Sequence, residues 1–419
     1  MLAVEFIRSN PDEVCRALSR RGALESIKLI DEIIRQDLIL RETLTLQQTR
    51  QQTLNQESRS IATLMREGNQ EAARKVIERQ KDLKAEIKAF GQQVTDSEQL
   101  LSELLLAIPN VTHESVPDGL TTKDNVIIHS HGDLPSFDFT PLPHWEISER
   151  HQLIDFERGA KVAGAGFPFY MNAGAKLHRA LINFFINSAE PEYTEVRPPL
   201  FVNAASAQGT GQLPDKEGQM YHTEDGFYPV PTAEVPLTNY FRDEILSHTD
   251  LPVKLCAHTP CWRREAGSYG AHVRGLNRLH QFDKVEIVQL THPEQSYQVL
   301  EVMREHAEKL LQALKLPYRC LLMCAGELGF NQTKQYDLEV WSAGQQRWLE
   351  VSSISNFTDY QARRMNIRFR PMQGGKPQLV HTLNGSALAL PRVVAALLEH
   401  NQKEDGSYEL PSALEPYLT

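Results

Sequence analysis

Arg263-Arg264-Glu265 is followed by Gly267-Ser268-Tyr269-Gly270, by Arg274 and Arg278, and then by the run His280-Gln281-Phe282-Asp283-Lys284-Val285-Glu286. Arginines clustered around a turn suit a triphosphate, because guanidinium offers paired planar donors to phosphate oxygens and keeps its charge at any working pH. Carboxylates in the same run suit an amine or a metal ion. A charged surface hairpin accounts for any one of these arginines, but not for the whole string. Two strands joined by a glycine-bearing loop would display the set together. The chain has neither a GxxxxGKS/GxxxxGKT loop nor a strand-linked GxGxxG, so a nucleotide would have to be held by other means.

Strands and helices must position such a set. Short β-branched runs, Tyr228 to Val230 and Val285 to Gln289, are mixed with amphipathic patterns around Ala175 to Ser188 and Pro293 to Leu314, which predicts an antiparallel α+β domain. From Pro109 to about Pro143 the composition turns to Gly, Pro, Ser, Asp and His, as in Pro117-Asp118-Gly119 and His131-Gly132-Asp133, and reads as a linker before a body over 144–419.

The N-terminal part differs. No proline lies between Pro11 and Pro109, and no aromatic residue lies from Ser26 through Ala89. Apolar residues recur at spacings of three and four along Ala73, Val76, Leu83, Ile87, Phe90, Val94, Leu101, Leu104 and Ile108, with Gln80 and Ser97 as polar exceptions. Ile33, Leu40, Leu44, Leu54, Ile61 and Met65 follow the same register more loosely, interrupted by Asp37, Gln47, Gln51 and Ser58. Gly68 and Asn69 between the two runs suit a helix end, which predicts an antiparallel hairpin over about 27–108. Arg74, Lys75, Arg79, Lys81, Lys84 and Lys88 stand against Glu71, Glu78, Asp82 and Glu86, enough positive charge for phosphate contacts or simply a solvated coiled-coil surface.

A chain of 419 residues with 41% hydrophobic and 23% charged residues supports a large core and a second module. A net charge of −10 argues against a protein that coats nucleic acid indiscriminately, though not against a local basic face. No apolar run approaches the ~18 residues of a membrane span. Asp12 and Glu13 come before any signal-like stretch, so a cytoplasmic location is expected. Cys15, Cys256, Cys261, Cys320 and Cys324 are sparse and odd in number and form no CxxC pair, even with His258 between two of them. They read as reduced, mostly buried thiols without structural zinc.

Five ordered segments carry a resemblance that spans nearly the whole chain. RREAGSYGAHVRGLNRLHQFDKVE from Arg263 resembles motif 2 of the seryl-tRNA synthetases, and NGSALALPRVVAALLEHNQ from Asn384 resembles their motif 3. PVPTAEVPLTN from Pro229 is similar to the serine-binding TAE segment, and EVSSISNFTDYQARR from Glu350 and GTGQLP from Gly209 also match. Motif 1 is represented by Leu181 to Val202, with Glu192-Tyr193 where a glycine-tyrosine pair is usual. Ala387 stands where many members have glycine, which predicts a methyl beside the nucleotide.

The resemblance implies a class II synthetase fold, an antiparallel sheet flanked by helices behind an N-terminal two-helix coiled-coil arm. It implies activation of L-serine by ATP to seryl-adenylate, then transfer to tRNA(Ser) and also to tRNA(Sec). Arg263 would hold the α-phosphate and the serine carboxylate and, with Arg392, act in catalysis. Thr232, Ala233, Glu234, Glu286, Asn384 and Ser386 would surround serine, with the two carboxylates dividing its ammonium and hydroxyl in an order left open. Arg264 would join the ATP contacts, Arg278 would reach the γ-phosphate, Glu265 the adenine amino group, and Phe282 with Arg392 would sandwich the base. Glu350, Val351, Ser352 and Ser353 would complete the ATP site, Glu350 and Ser353 holding Mg2+ with the phosphates, unless they are merely a capping pair. The arm, residues 1–108, would lie along the tRNA through its basic residues, and a homodimer would form around motif 1.

Two other functions compete. A paralogue could adenylate a small amino acid and deliver it to a carrier protein, though such proteins often lack the arm. A non-catalytic RNA-binding scaffold is opposed by the presence of Arg263, Glu265, Glu286, Glu350 and Arg392 together.

Overall fold

The computed structural model describes residues 1–265 and 273–418. Gly267, Ser268, Tyr269 and Gly270 lie outside them. The chain divides into two compact units, Met1–Pro109 and Asn110–Thr419.

In the first unit, three short helices, Val4–Ser9, Pro11–Arg20 and Leu24–Ile27, precede two helices of 37 residues each, Ile30–Arg66 and Gln70–Leu106. At ~1.5 Å rise per residue each long helix extends roughly 55 Å. Gly68 turns the chain at φ +75°, and Asn69 caps the second helix by accepting from the Ala72 N–H at 3.2 Å. The helices run antiparallel, as cross-helix pairs show: Arg50 with Glu86 at 2.8 Å and Arg79 with Glu57 at 2.9 Å.

The heptad seam of the second helix faces its partner. Ala73, Leu83 and Leu101 are buried, and Val76, Ile87, Phe90, Val94 and Leu104 half-buried. Gln80 sits inside the seam and donates to Ser58 Oγ across it at 3.0 Å. In the first helix Ile33 is buried and Leu40, Leu44, Leu54 and Ile61 half-buried, whereas Met65 is 55% exposed, because the last turn at the hairpin tip faces little. Asp37 is buried because Arg8 and Arg41 donate to it at 2.6 and 2.9 Å, an ion cluster that spacing alone did not suggest.

The second unit is built on an eight-stranded sheet: β1 (Val126–His131), β2 (Thr194–Glu195), β3 (Val253–Trp262), β4 (Gln281–Thr291), β5 (Tyr318–Leu322), β6 (Lys334–Ser342), β7 (Arg347–Asn356) and β8 (His381–Ala389). Their order is β1-β5-β6-β7-β8-β4-β3-β2, antiparallel except where β2 joins β3. Residues 110–143 are therefore not a free linker. Asn110 is buried, and β1 pairs with β5 as the sheet edge, a role short enough to tolerate the surrounding Gly and Pro.

Alternation along β4 separates two cores. Val285 and Ile287 face Leu177, Leu181 and Phe185 of the helix Asn172–Ala189, Leu300 and Met303 of Ser296–Ala313, and Val394 and Leu398 of Leu390–His400. Val288 and Leu290 pack on the other face with Ala233, Leu237, Leu255, Ala257 and Ala362. Tyr193, the tyrosine of the motif 1 pair, is buried and its hydroxyl accepts from Gln289 at 2.7 Å, whereas Glu192, the departure, meets Lys254 at 3.4 Å. Among the described residues no helix is long and apolar enough to cross a membrane.

Candidate active site

A cavity of about 670 Å³ opens over the middle of the sheet, walled by β4, β7 and β8 and by the loops after β3 and before the short helix Glu234–Thr238. Register sets the wall. Ser386 of β8 lies opposite Glu286 of β4, and Gly385 lies opposite Ile354 of β7. After Ser386 the register shifts, with Leu388 at φ +94°, so that Ala389, Pro391 and Arg392 return to the cavity. The methyl of Ala387 points instead into the helix-covered core, which corrects the expectation of a methyl beside a nucleotide.

One end of the cavity gathers Thr232, Glu234, Glu286, Asn384 and Ser386. Glu234 is buried and accepts from Gln361 Nε2 at 2.7 Å, while Thr232 Oγ1 accepts from the Glu234 N–H at 3.2 Å. Burial and the neighbouring Glu286 push the Glu234 carboxyl up to about 7 despite the Gln361 bond. Glu286 pairs with Lys284 at 2.7 Å and accepts from Ser386 Oγ at 3.3 Å. Ala233 is fully buried in the core behind this end.

The other end is cationic. Arg263 is fixed by a backbone bond to His280 O at 3.0 Å and by Nε to Pro231 O at 3.3 Å, and its guanidinium lies 5.3 Å over the Phe282 ring. Arg278 donates to Glu265 at 2.8 Å, so the two residues expected at opposite ends of ATP pair with each other here. Arg392 donates through Nη1 to Glu350 O at 2.7 Å and through Nε to Asn277 O at 3.1 Å. Arg264 is exposed; its N–H donates to Gln219 O and its side chain is not part of the wall.

Along the floor Glu350, Val351, Ser352 and Ser353 line the cavity, Ser353 Oγ donating to Glu350 at 3.1 Å and Ser352 Oγ to Ser386 O at 2.6 Å. Glu350 and Ser353 are hard oxygen donors facing the same space, the donor set magnesium takes with substrate phosphates, so the residues fit that ion. Behind them Asp337 is buried, and burial together with Glu350 raises its carboxyl above the ordinary range.

Sequence reasoning assigned no role to several groups found here. Lys284 lies two residues from Glu286 on one strand face, so alternation would have revealed it. Gln361 reaches Glu234 from 127 residues away, and Asn277, Gln212 and Glu217 enter on loops, where no periodicity marks a direction. Of the cysteines, Cys256, Cys261, Cys320 and Cys324 are buried, and burial raises the Cys256 thiol to about 11 and Cys320 to about 12. Cys320 approaches His129 and Glu308, but Glu308 already takes Arg304 and the Tyr318 hydroxyl.

All six basic residues expected to meet nucleic acid are exposed on the helix Gln70–Leu106. Lys75 and Lys81 pair with Glu71 and Glu78 at 3.0 Å each and Arg79 with Glu57, while Arg74, Lys84 and Lys88 form no ion pair among the described residues.

An antiparallel sheet with arginines and carboxylates converging over its central strands defines a class II aminoacyl-tRNA synthetase core. Residues 220–401 match the family model of the tRNA synthetase class II core domain (G, H, P, S and T). Residues 1–112 match the seryl-tRNA synthetase N-terminal domain. The chain belongs to the seryl-tRNA synthetase family. It is 54% identical over 419 residues to the serine–tRNA ligase of Salinibacter ruber, covering 100% of this chain and 98% of the relative. With the serine–tRNA ligase of Prosthecochloris aestuarii it shares 47% over 424 aligned residues, 100% and 97% of the two chains. The seryl-tRNA synthetase from Pyrococcus horikoshii complexed with ATP superposes with a TM-score of 0.94 at 35% identity, covering 100% of this chain and 98% of that one.

Proposed function

We propose that the residues around this cavity carry out the two half-reactions of serine–tRNA ligation. Serine lies between Glu234 and Glu286, its ammonium and hydroxyl each facing a carboxylate, with Thr232, Asn384 and Ser386 completing the wall. Its carboxylate oxygen attacks the α-phosphorus of ATP, the bond from that phosphorus to the bridging oxygen breaks, and pyrophosphate leaves. Arg263 stabilises charge at the α-phosphate and orients the serine carboxylate, while Arg278 breaks from Glu265 to meet the terminal phosphate. Freed, Glu265 accepts from the adenine amino group, and Phe282 and Arg392 hold the ring between them. Glu350 and Ser353 would hold Mg2+, which neutralises phosphate charge when bound. The terminal ribose hydroxyl of tRNA then attacks the seryl carbonyl, the bond from that carbon to the phosphate oxygen breaks, and AMP leaves as the hydroxyl proton passes to its phosphate or to water.

The observation that carries this reading is the pair of buried carboxylates, Glu234 and Glu286, in one cavity with Arg263, Arg278 and Arg392. Selection follows from it: alanine would leave a buried acceptor unpaired, whereas threonine must be refused by size. The unpaired Arg74, Lys84 and Lys88 support residues 1–108 as the tRNA-binding arm, reading shape and backbone, with tRNA(Sec) a second acceptor beside tRNA(Ser). Exposed Leu200 and Phe201 at the end of motif 1 support a homodimer formed there. The site of action is the cytoplasm.

Amino-acid-dependent ATP–pyrophosphate exchange across the twenty amino acids tests the reading. Exchange with serine alone, abolished in Arg263→Ala while tRNA binding persists, is expected. Exchange driven by another amino acid, or undiminished in Arg263→Ala, would overturn the site assignment.

A further inference from the structure

Behind the nucleotide end lies a buried polar cluster that does not itself line the cavity but bonds to two residues that do, Leu276 and Asn277. Glu399, fully buried in the helix Leu390–His400, sits seven residues after Arg392, two turns along the same helix face. Its Oε1 accepts from the His144 backbone N–H at 2.9 Å and from the His144 ring Nδ1 at 2.7 Å, and also from Gln345 Nε2 at 3.3 Å. Its Oε2 accepts from the Gly344 N–H at 3.1 Å and from the Ser342 hydroxyl. Burial alone would raise its pKa, but the bonds from His144 and Ser342 hold the carboxyl below its ordinary value.

His144 is equally buried, and its other ring nitrogen is committed. The Leu276 N–H donates to Nε2 at 2.9 Å, which fixes the imidazole as neutral with the proton on Nδ1. The ring also lies against Gly275, whose φ is +69° and where an added Cβ would come within 2.3 Å of Nε2. Two residues on, Asn277 Nδ2 donates to Gln345 Oε1 at 2.8 Å, and Asn277 O accepts from Arg392 Nε. The next residue is Arg278. A single carboxylate thus ties together the start of one helix, the end of β6, the helix bearing Arg392 and the segment that delivers Arg278.

We propose that Glu399 and His144 form a positioning unit for the nucleotide, setting through Leu276, Asn277 and Gln345 where Arg278 and Arg392 stand, without contacting any substrate. This rests on the reading of Arg278 and Arg392 as ATP-binding residues. An unpaired Leu276 N–H or Glu399 oxygen would be relieved by moving the 275–278 segment, and a small displacement there weakens the grip on ATP while leaving Glu234 and Glu286 in place.

The test is pyrophosphate exchange with His144→Phe, which keeps a ring of similar bulk without its nitrogens, and with Gln345→Ala, which removes the half-buried amide joining Glu399 to Asn277. In His144→Phe the KM for ATP rises about tenfold, and in Gln345→Ala about threefold, with the KM for serine within about twofold in both. An unchanged ATP KM in either folded variant overturns the proposal, as does a serine KM that rises in step with it. If His144→Phe fails to fold, Gln345→Ala decides alone. Arg278→Ala separates the two layers: if it leaves the ATP KM unchanged, the reading of the nucleotide site fails, whatever the network variants show.

Discussion

Glu234 is a carboxylate whose environment works against its charge, and that has two consequences. Its folded pKa of about 7 stands above the ordinary 4.5, so the proton is bound more tightly in the folded chain. The stability this gives is complete below about pH 4.5 and is lost as pH rises through 7, a difference on the order of 3 kcal/mol from the shift. Glu234→Gln should therefore melt a few degrees above the wild type at pH 8, with the gap gone at pH 5, as calorimetry without substrate would show. Function runs the other way, because serine needs the ionised form: kcat/KM for serine should fall about tenfold per pH unit below 7. A flat profile from pH 5.5 to 7 would remove Glu234 from the serine site. At this scale the sequence was legible where residue type met motif, as at Arg263, Glu286 and Arg392. It was silent on Gln361, which reaches Glu234 from a helix 127 residues away, and on Asp337, whose place opposite Ser353 no local pattern sets, and it turned Ala387 toward the cavity although alternation from Ser386 turns it away.

Among the elements, the hairpin was the most legible, because a heptad pattern is local: a seam read from spacing is a seam in space. Its polar exceptions were legible as interruptions but not as pairs, since nothing in the spacing says that Gln80 meets Ser58 or that Asp37 collects two arginines. The edge strand Val126–His131 was missed because six residues amid Gly, Pro and Asp give too short a period to register. On the second hairpin helix, Arg74, Lys81, Lys84 and Lys88 fall within an arc of roughly 80° at 100° per residue, a stripe suited to one phosphate backbone. Paired Lys84→Ala and Lys88→Ala should weaken tRNA binding and flatten the slope of log affinity against log salt by between one and two, with exchange activity intact. An unchanged salt slope would take these lysines out of the interface.

At the scale of the whole molecule, motif 1 ends on Leu200 and Phe201, large apolar side chains left 37% and 50% exposed. A second copy of the chain across a twofold axis is the proposed cover. Sedimentation velocity should place the chain at twice 47.6 kDa and Phe201→Lys at or moving toward the single value. A wild type that sediments as a monomer would end the dimer reading. The division into two units has an optical consequence as well. All four tryptophans and all twelve tyrosines lie beyond residue 144, so Met1–Pro109 contains neither. Tyrosine and tryptophan fluorescence therefore reports on the sheet-bearing unit alone, while ellipticity at 222 nm reports on the helices of both units. Recording both signals through one melt would show the loss of Met1–Pro109 as the ellipticity change that fluorescence does not follow, with no label attached to either.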